Sequence, residues 1–263
     1  MRLPRKLLRL ALLFAVTAVG FASLWACLLL LLPLPSLRRR GRNAVFRGWS
    51  RGCLRVMGGR LTVTGSPPAA PFFLVTNHLS YVDVLALAAC TDCYFVAKLE
   101  IRAWPLFGVL CRSVGTIFVD RESRRDVLRV NGMIGKVLEQ GYGVVLFPEG
   151  TSTQGYEVAP FRSALFDYPI RSDTAVRAGA LTYRGRAGDP PANLALCWWG
   201  NAPFLPHAWQ LLGLRGFDVE VSFSDAALRA GDRKSLSLLG HREVERLFVP
   251  VVAAEERATA TGF

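Results

Sequence analysis

The first 60 residues contain no aspartate or glutamate, although they hold 12 of the 32 lysines and arginines. The rest of the chain has 32 − 12 = 20 basic residues against 20 acidic residues, so the formal net charge of +12 belongs to the N-terminal segment. A basic segment ahead of a neutral domain is typical of attraction to an anionic membrane surface. The sequence also lacks any recognisable nucleic-acid-binding motif, so nucleic acid is not an expected partner.

Cysteine is too sparse for a disulfide framework in a chain of this size. Only Cys90 and Cys93 form a C-x-x-C pair among the six cysteines. A structural zinc site needs a second pair, which the sequence lacks. Reduced thiols in a cytosolic domain are therefore expected.

No charged residue lies between Arg9 and Arg38. Residues 10 to 32 would form a helix of about 35 Å, which is long enough to cross the hydrocarbon core of a membrane. The run is too long for the apolar region of a secretory signal, and no A-x-A cleavage site follows it. Basic clusters on both flanks leave its orientation open, and they also allow a monotopic helix that enters one leaflet without crossing.

A basic amphipathic helix is predicted over residues 43 to 58. Arg47, Arg51 and Arg55 recur every four residues, while apolar side chains form a second stripe. Two interpretations stay open: the helix lies among lipid headgroups, or it packs its apolar stripe on the domain.

The predicted organisation has two parts. Residues 1 to 60 form a membrane-anchoring helical segment, and residues 61 to 263 form the domain, with a Pro-rich linker at 65 to 71. In the domain, short apolar runs alternate with helical stretches, which predicts an α/β fold with a mostly parallel central sheet flanked by helices. The predicted strands lie near 72–76, 94–97, 116–119, 144–147, 175–182, 193–198 and 218–223. The predicted helices lie near 83–90, 105–111, 123–140, 162–168, 204–212 and 235–257.

Three polar clusters follow predicted strands, where functional residues of α/β folds tend to lie. The clusters are His78 with Asp83, Asp120 with Arg121, and the run Glu149, Gly150, Thr151 and Ser152. Taken singly, the second cluster is also explained by an ion pair at a strand end. The third is also explained by an ordinary turn in which glycine supplies backbone freedom.

His78 and Asp83 have two possible roles. Ser80 and Asp83 fit a capping box at a helix start, which is a purely structural role and leaves His78 unexplained. On a regular helix, residues five apart point about 140° away from each other and do not meet. If residues 77 to 80 instead form a turn, the imidazole reaches the Asp83 carboxylate, which fixes its tautomer and raises its basicity.

The combination of motifs is more specific than any one of them. The blocks NHLSYVD (77–83), GTIFVDR (115–121) and FPEGTST (147–153) resemble, in order and spacing, the signature blocks of the glycerolipid acyltransferase family. Within that family they are most similar to the blocks of bacterial 1-acyl-sn-glycerol-3-phosphate acyltransferases. The resemblance covers about residues 40 to 225.

The resemblance implies an activity. A fatty acyl group moves from acyl-CoA or acyl carrier protein to the free hydroxyl of a lysophospholipid, which is expected to be 1-acyl-sn-glycerol 3-phosphate. No metal or bound cofactor is expected. The resemblance implies that the protein is bound to the cytoplasmic face of a bacterial inner membrane and that membrane lipids are its partners.

The resemblance also implies roles for individual residues. His78 is the general base and Asp83 its orienting partner. The residues expected to bind the acceptor are Arg121, Glu149, Gly150 and Thr151. Weaker candidates for the site are Asn77, Lys98, Ser152 and Arg162.

Two places depart from the family pattern: Ser152 in the third block, and Arg177-Ala178, where a fourth block usually has a Val-Pro pair. Ser152 stands where the third block commonly has an arginine that would help to bind the acceptor phosphate, and Arg121 or Arg162 would have to compensate. Another acceptor, such as a lyso-ornithine lipid, therefore stays open. Two rival functions also remain: an acyl-thioester hydrolase that uses the same His-Asp pair on water, and a membrane-surface lipid-binding protein without catalysis.

Overall fold

The computed structural model describes residues 2–105 and 107–252. Its helices are α1 (Arg2–Leu30), α2 (Pro35–Met57), α3 (Val82–Cys90), α4 (Phe107–Ser113), α5 (Arg124–Glu139), α6 (Asp167–Arg171), α7 (Ala192–Ala195), α8 (Phe204–Leu211) and α9 (Arg233–Leu247), with short 3-10 helices at Leu99–Ala103 and Ser163–Phe166. Its strands are β1 (Gly59–Thr64), β2 (Phe72–Thr76), β3 (Cys93–Lys98), β4 (Ile117–Val119), β5 (Gly143–Leu146), β6 (Val176–Gly185) and β7 (Phe217–Phe223).

The strands form one seven-stranded sheet in the order β1-β7-β6-β2-β5-β3-β4. Every neighbouring pair is parallel except β6 with β7. The expectation of a mostly parallel α/β sheet is therefore confirmed. One consequence matters for the site: the carboxyl ends of β2, β3, β4, β5 and β6 lie at the same edge of the sheet.

Helices cover both faces of the sheet. Strand β2 is buried along its whole length, with Phe72 and Leu74 in one core and Phe73 and Val75 in the other. The first core is completed by side chains of α2, α3, α7 and α8, and the second by side chains of α5 and α9. A strand buried on both faces needs a continuous apolar sequence, which is why FFLVT does not alternate.

Helix α1 packs antiparallel on α2. Three glycines permit the close approach: Gly20 faces Trp49, Gly41 faces Cys27, and Gly52 faces Val16. Many apolar side chains on the outer face of α1 stay exposed, among them Leu8, Phe14, Val19 and Leu30. Among the described residues, α1 is the one helix that is long and apolar enough to cross a membrane.

Helix α2 is fastened to the domain by its arginines. The Arg42 guanidinium lies 3.9 Å from the centre of the Tyr94 ring, Arg47 pairs with Asp92, and Arg51 donates to the Ala89 carbonyl at 2.9 Å. These contacts support the interpretation in which the amphipathic helix packs on the domain. Contact of the exposed face of this helix with lipid headgroups stays a prediction, since Arg51 is exposed even though its Nε donates to Ala89.

Some predicted boundaries were wrong. Residues 193–198 form part of α7 and a loop rather than a strand. Strand β1 was not predicted, because most of its side chains are exposed and it has no apolar run. Strand β1 starts at Gly59 and pairs with β7, so the sheet begins inside the segment that was predicted to be a membrane anchor, residues 1 to 60. Residues 65–71, predicted to link that segment to the domain, instead join β1 to β2. The amphipathic helix starts at Pro35 rather than residue 43, and α9 ends at Leu247, with residues 253–257 of that prediction outside the described residues.

Candidate active site

The sheet edge gathers the predicted site residues. His78 lies just beyond β2, Glu149 beyond the neighbouring β5, Lys98 at the end of β3, and Arg121 beyond β4. Because these strands are parallel neighbours, residues far apart in the chain share one edge.

The His78 imidazole contacts the Asp83 carboxylate. Nδ1 lies 2.7 Å from Oδ2, because residues 77–80 form a turn and α3 begins only at Val82. The same oxygen accepts the backbone N–H groups of Leu79 at 2.7 Å and Ser80 at 2.9 Å. The His78 ring stacks on Phe147 with 4.1 Å between ring centres. With Asp83 as acceptor, the proton sits on Nδ1 and the lone pair of Nε2 stays available.

Only half of the predicted capping box forms. The Asp83 carboxylate accepts the Ser80 N–H, whereas the buried Ser80 hydroxyl has no hydrogen-bond partner within residues 2–105 and 107–252. The Asp83 N–H donates instead to the Ser80 carbonyl at 3.1 Å. The cap and the imidazole contact therefore share one carboxylate oxygen.

Tyr183 is a site residue that the sequence did not reveal. Its fully buried hydroxyl donates to the other Asp83 oxygen, Oδ1. Burial, with the Asp83 charge beside it, raises the pKa of Tyr183 well above its usual value, so the hydroxyl stays a donor. Tyr183 lies 100 residues from Asp83 on β6, and no local motif marks it.

Asn77 serves the sheet. Its side-chain amide donates to the Leu181 carbonyl at 3.0 Å and accepts the Leu181 N–H at 2.7 Å. These two bonds tie the end of β2 to β6, the strand that carries Tyr183. The candidate role of Asn77 in the site is thus indirect.

Glu149 holds the backbone of His78. Its Oε1 accepts the His78 N–H at 2.5 Å, and its Oε2 accepts the Ala159 N–H at 2.9 Å. The carboxyl group of Glu149 is buried, and burial raises its pKa to about 8. The two N–H donors act in the opposite direction, but their effect is smaller than that of burial. The Thr153 N–H also donates to the His78 carbonyl at 2.9 Å. The first and third sequence blocks are therefore joined through the main chain of His78.

A charged pocket of about 190 Å³ opens beside these residues. Gly150 and Thr151 line it, together with three basic and three acidic side chains: Lys98, Arg121, Arg162, Glu100, Asp120 and Glu122. Glu149 is not among the lining residues, although the resemblance implied that it binds the acceptor.

Two guanidinium groups flank Gly150. Arg121 donates to the Gly150 carbonyl, and a Cβ at position 150 would lie 3.1 Å from both Arg121 Nη1 and Arg162 Nε. Gly150 also has a φ of +82°, so glycine is required here for conformation as well as space. In the described part of the chain neither guanidinium forms an ion pair with a carboxylate. Burial and the neighbouring Arg162 charge lower the pKa of Arg121.

Ser152 does not line this pocket. Its hydroxyl donates to the Trp198 carbonyl, and the Trp198 N–H donates to the Leu79 carbonyl at 2.8 Å. The residue that replaces the family's arginine therefore ties a tryptophan loop to the turn that carries His78.

Known proteins with related sequences or the same fold are acyltransferases by name. The family model described as Acyltransferase matches residues 60–178. The lyso-ornithine lipid O-acyltransferase of Rhizobium meliloti is 31% identical over 82% of this chain and 78% of that protein. The 1-acyl-sn-glycerol-3-phosphate acyltransferase of Neisseria gonorrhoeae is 31% identical over 75% of this chain and 78% of that protein. The crystal structure of the 1-acyl-sn-glycerophosphate acyltransferase PlsC from Thermotoga maritima has the same fold, with a TM-score of 0.64 at 18% identity over 94% of this chain and 98% of that chain.

Proposed function

The chain belongs to the acyltransferase family, and from that premise we propose that it moves a fatty acyl group from acyl-CoA or acyl carrier protein to the hydroxyl of a lysophospholipid. The preferred acceptor is 1-acyl-sn-glycerol 3-phosphate, which would become phosphatidate. The proposal is carried by the contact between His78 and Asp83 beside a pocket lined by Arg121 and Arg162, neither of which forms an ion pair within residues 2–105 and 107–252.

His78 acts as the general base. Nε2 removes the proton of the acceptor hydroxyl, whose oxygen attacks the thioester carbonyl. The C–S bond then breaks, and the leaving thiolate takes the proton from the His78 imidazolium, which restores the base. Asp83 orients the ring and stabilises the imidazolium that forms. Tyr183 and the N–H groups of Leu79 and Ser80 hold the carboxylate in place. This pathway needs no covalent acyl-enzyme, metal or bound cofactor.

The acceptor phosphate binds at Arg121 and Arg162. Guanidinium groups suit phosphate because they offer several donors in a planar arrangement. Both lie beside Gly150, where a side chain would fill the space between them. Lys98, at the end of β3, adds a third positive charge to the same pocket. In this proposal Arg121 and Arg162 replace the arginine that is absent at Ser152.

A lyso-ornithine lipid is the second candidate acceptor. Its headgroup carries a carboxylate and an ammonium group. The pocket carries both signs of charge, since Glu100, Asp120 and Glu122 line it together with the basic residues. The relative from Rhizobium meliloti bears the name of that activity.

A panel of lysolipids tests the proposal. Each acceptor is offered with acyl-CoA and with acyl carrier protein, and the products are identified by mass. We expect acylation of 1-acyl-sn-glycerol 3-phosphate. Selective acylation of lyso-ornithine lipid would favour the second candidate. Thioester consumption that is equally fast without any acceptor would indicate a hydrolase, and no turnover with any pair would favour a lipid-binding protein.

Helix α1 anchors the enzyme in one leaflet at the cytoplasmic face of the inner membrane. Two features support insertion into one leaflet: α1 packs along α2, and its Arg5 and Arg9 donate to carbonyl groups of residues 212–214. A helix so attached at its N-terminal end to the catalytic domain keeps both ends on one side of the membrane. An epitope tag at the N-terminus should therefore be inaccessible from the periplasm of intact cells. A tag accessible from the periplasm would contradict the one-leaflet arrangement.

A further inference from the structure

A second long uncharged stretch lies within the catalytic domain. Between Asp189 and Arg215 there is no lysine, arginine, aspartate or glutamate in residues 190–214, and three of the chain's six tryptophans lie there. The stretch forms α7, α8 and the loops around them rather than one long helix. Part of this stretch is buried in the domain core, so the missing charge is informative only at its exposed positions. Soluble protein surfaces usually carry charged residues at about a quarter to a third of their positions.

Apolar side chains of this stretch are exposed. Leu205 on α8 has 75% of its surface exposed and Leu194 has 55%. Phe107 on α4, which is 36% exposed, packs against Phe204 with 4.8 Å between ring centres. The exposed surface of α8 is thereby extended onto α4. We call Leu205, Phe204 and Phe107 the α8 surface.

The α8 surface continues inward to the active site. The Phe204 ring lies 5.0 Å from the ring centre of Tyr81 and 5.8 Å from that of Trp104. Tyr81 follows His78 by three residues, in the turn that presents the imidazole. A connected aromatic cluster therefore runs from the outside of the domain to the immediate neighbourhood of the proposed base.

The opposite end of α8 adjoins α1. The Lys6 ammonium lies 5.0 Å from the centre of the Trp209 ring. Arg9 donates to the Leu214 carbonyl at 2.7 Å, just beyond the end of α8. The exposed apolar side chains of α1 and those of α8 are thus on adjoining elements.

We propose that the α8 surface is a second membrane-contact site, whose occupant is the same bilayer leaflet that receives α1. Exposed leucine and phenylalanine beside tryptophan, next to a stretch that has no charged residues of its own, match the membrane-facing side of interfacial helices. The inference rests on the proposed function only in that the substrates are lipids. It places the mouth of the site against the leaflet, so that the acyl chain and the lysolipid reach His78 from the membrane without crossing water.

The first test measures contact with lipid and needs no catalysis. Full-length Leu205→Cys protein is labelled with an environment-sensitive fluorophore and reconstituted in vesicles of phosphatidylethanolamine and phosphatidylglycerol. Leu128→Cys is the matched control, since Leu128 is 59% exposed on α5, on the opposite face of the sheet. Labelled wild type supplies the background from native cysteines.

We expect the label at position 205 to be quenched by iodide at least about threefold less than the label at position 128, and to be quenched by spin-labelled lipid. Equal access of iodide at both positions would overturn the proposal. Shielding at position 205 that disappears when the protein-to-lipid ratio is lowered would assign the surface to a second copy of the chain, which would also overturn it.

The second test links the contact to turnover. Burial of the Leu205 side chain in the bilayer would contribute more free energy than a tenfold change in an equilibrium constant requires. Leu205→Asp should therefore lower kcat/KM about tenfold for an acceptor embedded in vesicles. With a short-chain acceptor dissolved in water its activity should be unchanged, and Leu128→Asp should match wild type with both acceptors. Equal activity of the two variants on vesicles would overturn the proposal. Wild type that acylates no acceptor would contradict the proposed function and leave the result of the labelling test standing.

Discussion

Replacement of Glu149 by alanine separates two roles for this residue, support of His78 and direct binding of the acceptor. The substitution removes the acceptors for the His78 and Ala159 N–H groups. An unsatisfied buried donor costs about 1–3 kcal/mol. Both contacts are only partly buried, so we take the lower end for each and expect a loss of roughly 2 kcal/mol in the free energy of unfolding.

The kinetic consequence follows from the same two bonds. Without them the turn that carries His78 is no longer held at its main chain, so kcat should fall about tenfold or more while the KM for the acceptor changes little. Glu149→Gln retains one carbonyl acceptor and turns an NH₂ group toward the other N–H. Its loss of stability should therefore be about half that of the alanine variant.

The assay is thermal unfolding together with kinetics at varied acceptor concentration. For a chain of this size, 2 kcal/mol corresponds to a fall in Tm of about 4–8 °C. Glu157→Ala is the matched control, because Glu157 is exposed in the same segment, and it should leave both quantities unchanged. An unchanged Tm with a tenfold higher acceptor KM in Glu149→Ala would refute the supporting role and restore direct binding.

Four further predictions concern the same site. His78→Ala should reduce transfer by about 10²–10⁴-fold with an unchanged circular dichroism spectrum, and retention of more than about a tenth of the activity would contradict a general base. Arg121→Ala should raise the KM for the lysolipid and leave that for the thioester unchanged, whereas equal effects on both would remove Arg121 from the phosphate site. Tyr183→Phe keeps the buried ring and removes the donor to Asp83, so kcat should fall about tenfold at constant KM, and a wild-type kcat would exclude a positioning role. The pKa of Glu149 is about 8 in the folded protein and 4.5 when unperturbed, so the folded state favours the neutral carboxyl group. Its contribution to the free energy of unfolding is therefore complete below pH 4.5 and is lost as the pH rises through 8. The Tm of wild type relative to Glu149→Gln should therefore fall over that range, and a pH-independent difference would show that Glu149 is ionised throughout.

Strands with continuous apolar sequences were predictable. FFLVT and VVLF are bounded by turn residues and buried on both faces, so they differ clearly from the helices that follow. Strand β1 was not predictable in this way, since it is an edge strand with most side chains exposed. Residues 193–198 were misassigned because a short buried helix and a short buried strand have the same apolar composition.

In the N-terminal segment, too, some features were predictable from the sequence and others were not. The charge-free run of α1 and the repeat of arginines on α2 are properties of the sequence alone. The acceptors of those arginines are not, because Asp92 and Ala89 lie about 40 residues further along the chain and contact α2 through the tertiary packing of α3. Periodicity identified an amphipathic helix and gave no information on whether its cations face lipid or protein.

By itself the sequence determined which residues follow the strands: His78 and Asp83 after the first apolar run, Arg121 and Glu149 after two later ones. Local composition was sufficient for this, because strand ends and turns are set by neighbouring residues. The tertiary structure alone decided what these side chains do to one another. Strand order places β6 and β5 on either side of β2, and only that arrangement brings Tyr183 to Asp83 and turns Glu149 toward the main chain of His78. Contacts across 70 to 100 residues depend on how the strands are ordered, and no local periodicity contains that order.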